Sequence, residues 1–483
     1  MKFLAICLFF CYSIFSYASA QKITVSENQR HFVNESGEPF FWLGDTAWEL
    51  FHKLSREEAT EYLENRSKKG FTVIQAVVLA ENDGLRSPNA YGHLPFKNLD
   101  PTKPNEAYFE HVDFIVEKAA SLGLIVGMLP TWGDKVFSVN PGAGPVIFDP
   151  VNAGIFGEFL GRRYKNSPIV WILGGDRNVA NDEVFNTWQA MAKGIKHGDK
   201  GNHLITYHPR GASTSARFFH NETWLDFNMY QSGHERPFNN VYKYAEDLVF
   251  YKPRKPFVEG EPAYEDIPVK FWNYLDFSKS YQDRVPVGVL SESGIIKNKS
   301  FFKEGFFTAY DVRVFAYWNL LAGAAGYTYG NNAIWQMFKK GESFAIPALT
   351  DWREAMDRPG AEDMKHVRDL FESRPFNKLL PDQSIIYGLN ADGKNHIRSA
   401  GSTDQSYAMI YLAVGQQVKV VMQKVKGVMV NGWWYNPRTG EENSIGTVKN
   451  IGIQTFKPPS SGEGKDWILV LDQQNAGYKT PGK

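Results

Sequence analysis

Eight times between residues 40 and 372, a short apolar run gives way to a stretch of helical period. That alternation constrains the fold more than any other feature. Strands separated by helices cannot pair as hairpins, so they lie parallel, and eight of them close most simply into a (β/α)8 TIM barrel. The runs are Phe40–Leu43, Phe71–Leu79, Leu124–Leu129, Ile169–Leu173, Leu204–Tyr207, Trp224–Met229, Phe257-Val258 and Ala325–Tyr329. Ser55 and Glu58 form a capping box for the first helix, Asn105 can cap the second, and Asp149-Pro150 opens the third. Val151, Ile155, Phe159 and Leu160 line that third helix, and Val184, Trp188, Met191 and Ile195 the fourth. Val241–Phe250, Val312–Leu321 and a segment with Met364, Val367, Leu370 and Phe371 supply later ones. Residues 266–306 break the rhythm and read as a long loop over the active face.

After Pro381 the helical period disappears and short alternating strands take over: Ser384–Tyr387, Tyr407–Leu412, Gln417–Met422, Val428–Val430 and Trp467–Leu471. Asn436-Pro437-Arg438-Thr439-Gly440 is a turn between strands. The division is therefore a leader at 1–20, a barrel at 21–381, a small all-β sandwich at 382–475 and a flexible tail at 476–483. The leader has Lys2, an apolar run from Phe3 to Phe15 and Ala18-Ser19-Ala20, the pattern of a secretory signal peptide cleaved before Gln21. Export to the periplasm or the extracellular space is expected. Both cysteines, Cys7 and Cys11, lie in the leader, so the mature chain would carry no disulfide. No later stretch is long and apolar enough to span a membrane.

Lys plus Arg and Asp plus Glu both number 53, which gives no basic footprint for nucleic acid. Aromatic residues reach 15%, a load that suits a large core and also the C–H faces of sugar rings. Barrel enzymes carry their chemistry at the C-terminal ends of the strands. Residues there are Asp45, Gln75, Trp132, Asp134, Asp176, His208, Tyr230, Gln231, Glu261, Tyr264, Glu265, Tyr329 and Asn331, with Trp335 just beyond strand eight. Carboxylates, amides and aromatics on one rim describe a pocket for a polyhydroxylated ligand. Asp176 follows two glycines that let the backbone approach a ligand closely, and Glu261 sits between Gly260 and Pro262. An acid after strand four and a Glu after strand seven is the arrangement of many retaining glycosidases, which need an acid/base and a nucleophile ~5–5.5 Å apart.

Three motifs carry a resemblance: Leu43-Gly44-Asp45-Thr46-Ala47-Trp48, Gly174-Gly175-Asp176-Arg177-Asn178 and Gly260-Glu261-Pro262-Ala263-Tyr264-Glu265. Together they resemble the apiosidase-like glycoside hydrolases, family 140. Trp434-Tyr435-Asn436-Pro437-Arg438-Thr439-Gly440 resembles the sandwich domain that ends many of these proteins. The resemblance covers essentially the whole mature chain. It implies an exo-acting barrel hydrolase that removes terminal apiose from side chains of the plant pectin rhamnogalacturonan-II. It implies Asp176 as acid/base and Glu261 as nucleophile.

Glu259 is the competing nucleophile, two positions from Glu261. Asp45 is read as a hydroxyl-binding residue, His208 as orienting a carboxylate or touching sugar, and Trp132 and Trp335 as sugar platforms. Trp318 lies in a helical period, which favours core. Glycosidases of the same barrel type acting on other plant or host glycans, and a non-catalytic carbohydrate-binding barrel, stay open as alternatives. A zinc-dependent hydrolase would want a His-x-His pair after strand one, and a phosphate enzyme a glycine-rich phosphate loop. Neither is present, so no metal or cofactor is expected. The partner is a plant cell-wall oligosaccharide; the sequence leaves the oligomeric state open.

Overall fold

The computed structural model describes residues 22–138, 144–279 and 281–483. The expected leader, with Cys7 and Cys11, lies outside them. Eight parallel strands form the barrel: β1 (Trp42–Thr46), β2 (Val73–Val77), β3 (Ile125–Leu129), β4 (Ile169–Gly174), β5 (Ile205–His208), β6 (Asn228–Gln231), β7 (Phe257–Glu259) and β8 (Gly326–Tyr329). The strands β5 to β1 pair in series, and β8 joins β1 with Tyr329 opposite Asp45. The seam between β5 and β6 is bridged by Asp226 N–H donating to the Ile205 carbonyl at 2.9 Å and the Thr206 hydroxyl donating to Phe227 at 2.6 Å. A helix follows each strand: α1 (Arg56–Lys68), α2 (Glu106–Ser121), α3 (Pro150–Arg163), α4 (Asp182–Asp199), α5 (Ala216–Phe219), α6 (Tyr242–Leu248), α7 (Ala309–Leu321) and α8 (Pro359–Glu372).

The Ser55–Glu58 capping box is formed, and Asp149 caps α3 with Pro150 at its first position. Asn105 stands at the start of α2 but caps nothing; its amide donates to the Leu94 carbonyl at 2.8 Å instead. The face of α3 is rotated from the expected one. Val151 and Ile155 are exposed, while Ala153, Phe156, Gly157, Leu160 and Gly161 are buried. Glycine explains the rotation. A Cβ at Gly157 would lie 2.4 Å from the Met191 carbonyl of α4, and one at Gly194 would lie 2.1 Å from the Gly154 carbonyl. The two helices approach backbone to backbone, a contact that an apolar-residue pattern does not reveal. Strand β6 begins at Asn228, not Trp224. Trp224 instead packs in the helical layer, its ring tilted 54° against Phe219 at 5.0 Å, with its indole N–H on Gln189.

The C-terminal region holds β9 (Leu379–Pro381), β10 (Ile397–Ser402), β11 (Tyr407–Leu412), β12 (Val418–Val421), β13 (Met429–Tyr435), β14 (Glu442–Lys449), β15 (Ile453–Phe456) and β16 (Trp467–Gln473). Six of them form an antiparallel sheet in the order β9-β10-β11-β16-β13-β14, and β12-β15 pair as a second layer. Residues Ser384–Tyr387 do not form the expected strand; Asp382 caps a short turn of 3₁₀ helix at Gln383–Ile385. Strand β14 escapes sequence reading because its residues are polar and solvated on an edge. The run Tyr407–Leu412 is apolar throughout because both faces are buried. Ala408, Ile410 and Leu412 face the sandwich interior, whereas Tyr407, Met409 and Tyr411 join the barrel-side core. Tyr411 stacks on Tyr317 of α7 at 4.8 Å. Arg313 of α7 reaches across with a bidentate pair to Asp466, both contacts at 2.8 Å, and also holds Asp363 of α8. The tail, expected to be flexible, lays Tyr478 against Tyr407 and bonds the Ser406 hydroxyl at 2.7 Å.

Candidate active site

The C-terminal end of β4 turns on three consecutive residues with positive φ: Gly174 at 88°, Gly175 at 112° and Asp176 at 48°. The glycines are required by the protein itself rather than by a ligand. A Cβ at Gly174 would sit 2.3 Å from the His208 carbonyl, and one at Gly175 would sit 2.7 Å from the Trp132 ring. Asp176 has a Cβ and still occupies the left-handed region, a backbone state that costs a residue with a Cβ of order 1–3 kcal/mol and that Asp tolerates better than most. Its carboxylate is a third exposed and lies 3.2 Å from Arg177.

Glu261 arrives just past β7. Gly260 lets the chain turn there. Its N–H bonds the Tyr230 carbonyl at 2.9 Å, its carbonyl accepts the Gln75 amide at 2.9 Å, and a Cβ would strike Met229. The turn breaks the strand alternation, so Glu259 and Glu261 do not point the same way. Glu259 faces the helical layer, taking the Ser232 N–H at 3.1 Å and the Asn319 amide at 3.4 Å. Glu261 faces the rim. His234 holds its Oε1 at 3.2 Å, and His208 Nε2 lies 3.2 Å from Oε2, off the line of a hydrogen bond. Oε2 therefore has no hydrogen-bond donor in the protein. The other nitrogen of His208, Nδ1, receives the Asp176 N–H at 3.4 Å. One buried imidazole thus spans the Asp176 and Glu261 turns.

The two carboxyls are driven apart in acidity. Burial alone would raise Glu261, but the closely placed imidazoles of His208 and His234, their charges and the His234 hydrogen bond outweigh it and hold the group at about 2. Burial and the negative charge of Glu261 push Asp176 above the usual aspartate range, against Arg177, His208 and Arg210. A carboxyl whose hold on its proton is strengthened, beside a carboxylate held ionised, can supply a general acid and a nucleophile to one bond. Trp132 and Trp48 wall this pair, 5.2 Å from each other, with Trp48 edge-on to His208 at 5.5 Å. The Trp48 indole N–H donates to the Tyr264 hydroxyl at 3.1 Å, and burial together with the Glu261 charge raises that phenol well above its ordinary value. Trp132 Nε1, Gln231 Oε1 and Arg177 Nε are buried polar atoms without a partner in the protein. Such atoms are what a bound polyol would satisfy.

The structure thus brings Asp176, Glu261, His208, Trp132, Tyr264 and Gln231 to one place, with Gln75 bracing the Glu261 turn from inside the barrel. Seven expected contacts lie elsewhere or are engaged. Asp45 points outward and is locked by Arg66 and the Tyr62 hydroxyl, both at 2.6 Å. Asp134 pairs with Lys135 at 2.7 Å and accepts the Gly144 N–H at 2.9 Å. Tyr230 turns out to α7, where its hydroxyl bonds Asn319 at 2.7 Å. Glu265 and Tyr329 bond each other at 2.6 Å, and Glu265 also takes the Gly360 N–H at the start of α8. Asn331 caps the short helix Asn332–Trp335. Trp335 lies in that helix, buried, with its N–H on Asn332, and forms no exposed wall. Strand alternation claims Asp45, Tyr230 and Tyr329, and helix starts claim Glu265 and Asn331.

Two site residues were absent from the sequence reading. His234 lies three residues past β6, beyond the strand end that the apolar run Trp224–Met229 marks. Glu49 bonds His52 at 2.7 Å and accepts the Asn82 N–H at 3.1 Å. Glu81, next in the chain to Asn82, is raised well above its ordinary value by burial and by the charges of Glu49, Asp176 and Asp134. Among the described residues, no group of three or more His, Cys, Asp or Glu side chains could hold a metal, and no helix could cross a membrane.

Residues 26–378 match the model of the "Apiosidase-like, catalytic domain" family, and residues 380–472 match the "Putative collagen-binding domain of a collagenase". Among solved structures, one described as a glycoside hydrolase is 34% identical over 95% of this chain and 98% of its own, with a TM-score of 0.81. A family 5 glycoside hydrolase from Bacteroides vulgatus ATCC 8482 is 31% identical over 95% and 94%, with a TM-score of 0.80. No curated protein matches. With the barrel, the sandwich and the rim geometry in agreement with these matches, the chain belongs to the apiosidase-like family and is a glycoside hydrolase.

Proposed function

We propose that the protein is an exo-acting, retaining glycosidase that removes a terminal sugar, apiose, from side chains of rhamnogalacturonan-II. Asp176 is the acid/base and Glu261 the nucleophile in this reading. One observation supports it above the others: Glu261 is held ionised with Oε2 free of donors, while Asp176, tied to the same imidazole, is held toward its protonated form. Glu261 Oε2 would attack the anomeric carbon as Asp176 gives its proton to the departing oxygen. Asp176 would then take a proton from water as the glycosyl ester is hydrolysed. Trp132, Gln231, Arg177 and Tyr264 would meet the sugar. The leader at residues 1–20 would export the protein to where such a substrate is found. The family match favours apiose over other sugars.

The test is product analysis on rhamnogalacturonan-II fragments. A single monosaccharide, identified as apiose against a standard, should accumulate from the first minutes. Early release of larger oligosaccharides would discard the exo reading, and a different monosaccharide would discard apiose.

A further inference from the structure

The loop between β7 and α7 exposes two large aromatic side chains. Trp272 is 45% exposed and Phe277 44%. Both rings rest on Phe271, Trp272 at 5.2 Å and Phe277 at 6.2 Å, each edge to face. Phe271 in turn lies 5.9 Å from the ring of His234, the residue that holds Glu261 Oε1. A continuous chain of contacts therefore runs from the ionised carboxylate to the exposed aromatics. The loop is built rather than loose at this point. Lys270 N–H bonds the His234 carbonyl at 3.0 Å, Val269 N–H bonds Gly305, and Asp276 N–H bonds Arg284. The Arg284 guanidinium lies over the Phe277 ring at 5.1 Å. Charged pairs border the patch, Lys270 with Glu304 and Lys279 with Asp276.

We propose that Trp272, with Phe277 beside it, is the platform on which the substrate's leaving-group sugar stacks, so that it selects an oligosaccharide over a simple glycoside. The inference rests on the exo reading above. An exo enzyme keeps one residue in its pocket, so any sugar meeting a surface beyond the pocket belongs to the leaving group. A rigid aromatic face held in place on an ordered loop presents apolar area to sugar C–H groups at little entropic cost. An apolar patch rimmed by charge next to a catalytic rim is the form such a subsite takes.

The experiment compares Trp272→Ala, Trp272→Tyr and the wild type on rhamnogalacturonan-II fragments and on an aryl glycoside of the released sugar. On the fragments, Trp272→Ala should lower kcat/KM about tenfold, mostly through KM, the size of one lost aromatic anchor. The loss on the aryl glycoside should be several-fold smaller, and Trp272→Tyr should restore most of the fragment activity. Equal losses on both substrates, or an unchanged KM on the fragments, would overturn the platform while leaving the assigned reaction intact. A wild type that cleaves the aryl glycoside but releases no monosaccharide from the fragments would remove the exo reading and the platform with it.

Discussion

His208 Nε2 lies 3.2 Å from Glu261 Oε2, and the same ring accepts the Asp176 N–H on Nδ1. An imidazole that accepts on Nδ1 carries its proton on Nε2 when neutral, so the two contacts fix one tautomer. That tautomer turns an N–H toward the Glu261 carboxylate and makes no bond to the Asp176 side chain, whose partner is Arg177. His208 is a positioning residue in this arrangement.

Glu261→Gln keeps the volume and removes the charge, so turnover should fall by several orders of magnitude with folding intact. Asp176→Asn should do the same on natural glycosides and far less on aryl glycosides with good leaving groups, which need no protonation. Near-normal activity of either variant on a natural substrate would show the assignment to be wrong.

How much of this was legible in the sequence depends on what each residue answers to. The barrel was readable because alternation of apolar runs and helical stretches survives errors of several residues at element ends. Asp176 and Glu261 were readable because each sits in a glycine-bracketed turn after a strand. Asp45, Tyr230 and Tyr329 were misplaced because they lie on the outward face of their strands, and alternation decides which face only when the strand register is known to the residue. Glu265 and Asn331 serve helix starts that a rim inventory does not see. His234 lies beyond the strand end that the apolar run Trp224–Met229 marks.

Stereochemistry should follow from the same geometry. A single imidazole spans the two turns, which favours the ~5–5.5 Å carboxyl gap of retaining enzymes over the ~6.5–9.5 Å gap that accommodates a water. The first product seen by NMR should keep the anomeric configuration of the substrate. An inverted first product would instead assign Glu261 as a base.

The pH profile should be limited on its alkaline side. Glu261 at about 2 stays ionised through the working range, so little activity should be lost down to about pH 3 while the fold holds. Loss of the proton on Asp176, raised above the usual aspartate range, should set the alkaline fall in kcat/KM. Arg177 opposes that rise from 3.2 Å away. Arg177→Met should therefore move the alkaline limb to higher pH. A limb that stays in place or moves down would mean that Asp176 is not the group titrating there.

The joint between barrel and sandwich offers a stability test. Arg313 is buried between Asp466 and Asp363, and the Tyr411 hydroxyl donates to Asp466 at 2.9 Å. Arg313→Met would leave two buried carboxylates without their cation, a loss of about 3–5 kcal/mol in denaturant unfolding. Adding Asp466→Asn should recover part of it, since one stranded charge is then removed. Strict additivity of the two losses would mean that the pair is not coupled.

Glu259 tests the outward reading of β7. It is fully buried, and burial raises its carboxyl to about 8 despite the Ser232 and Asn319 donors. In the unfolded chain it would titrate near ~4.3. A folded value raised above the unfolded one means that the folded state binds the extra proton. The contribution to stability is complete below about pH 4 and is lost as pH rises through about 8, with a slope near 1.4 kcal/mol per pH unit between the two values. Glu265, raised to about 7, and Asp363, raised to about 6, act in the same direction, so the wild type should lose stability steadily from pH 5 to pH 8. Glu259→Gln mimics the neutral acid and removes one of these contributions. Urea unfolding at pH 5, 6.5 and 8 should show the variant gaining on the wild type at each step. Parallel curves would mean that Glu259 is ionised in the folded protein. Activity of Glu259→Gln should stay near that of the wild type, because the side chain lies against α7 on Ser232 and Asn319; a loss as deep as that of Glu261→Gln would make Glu259 the nucleophile.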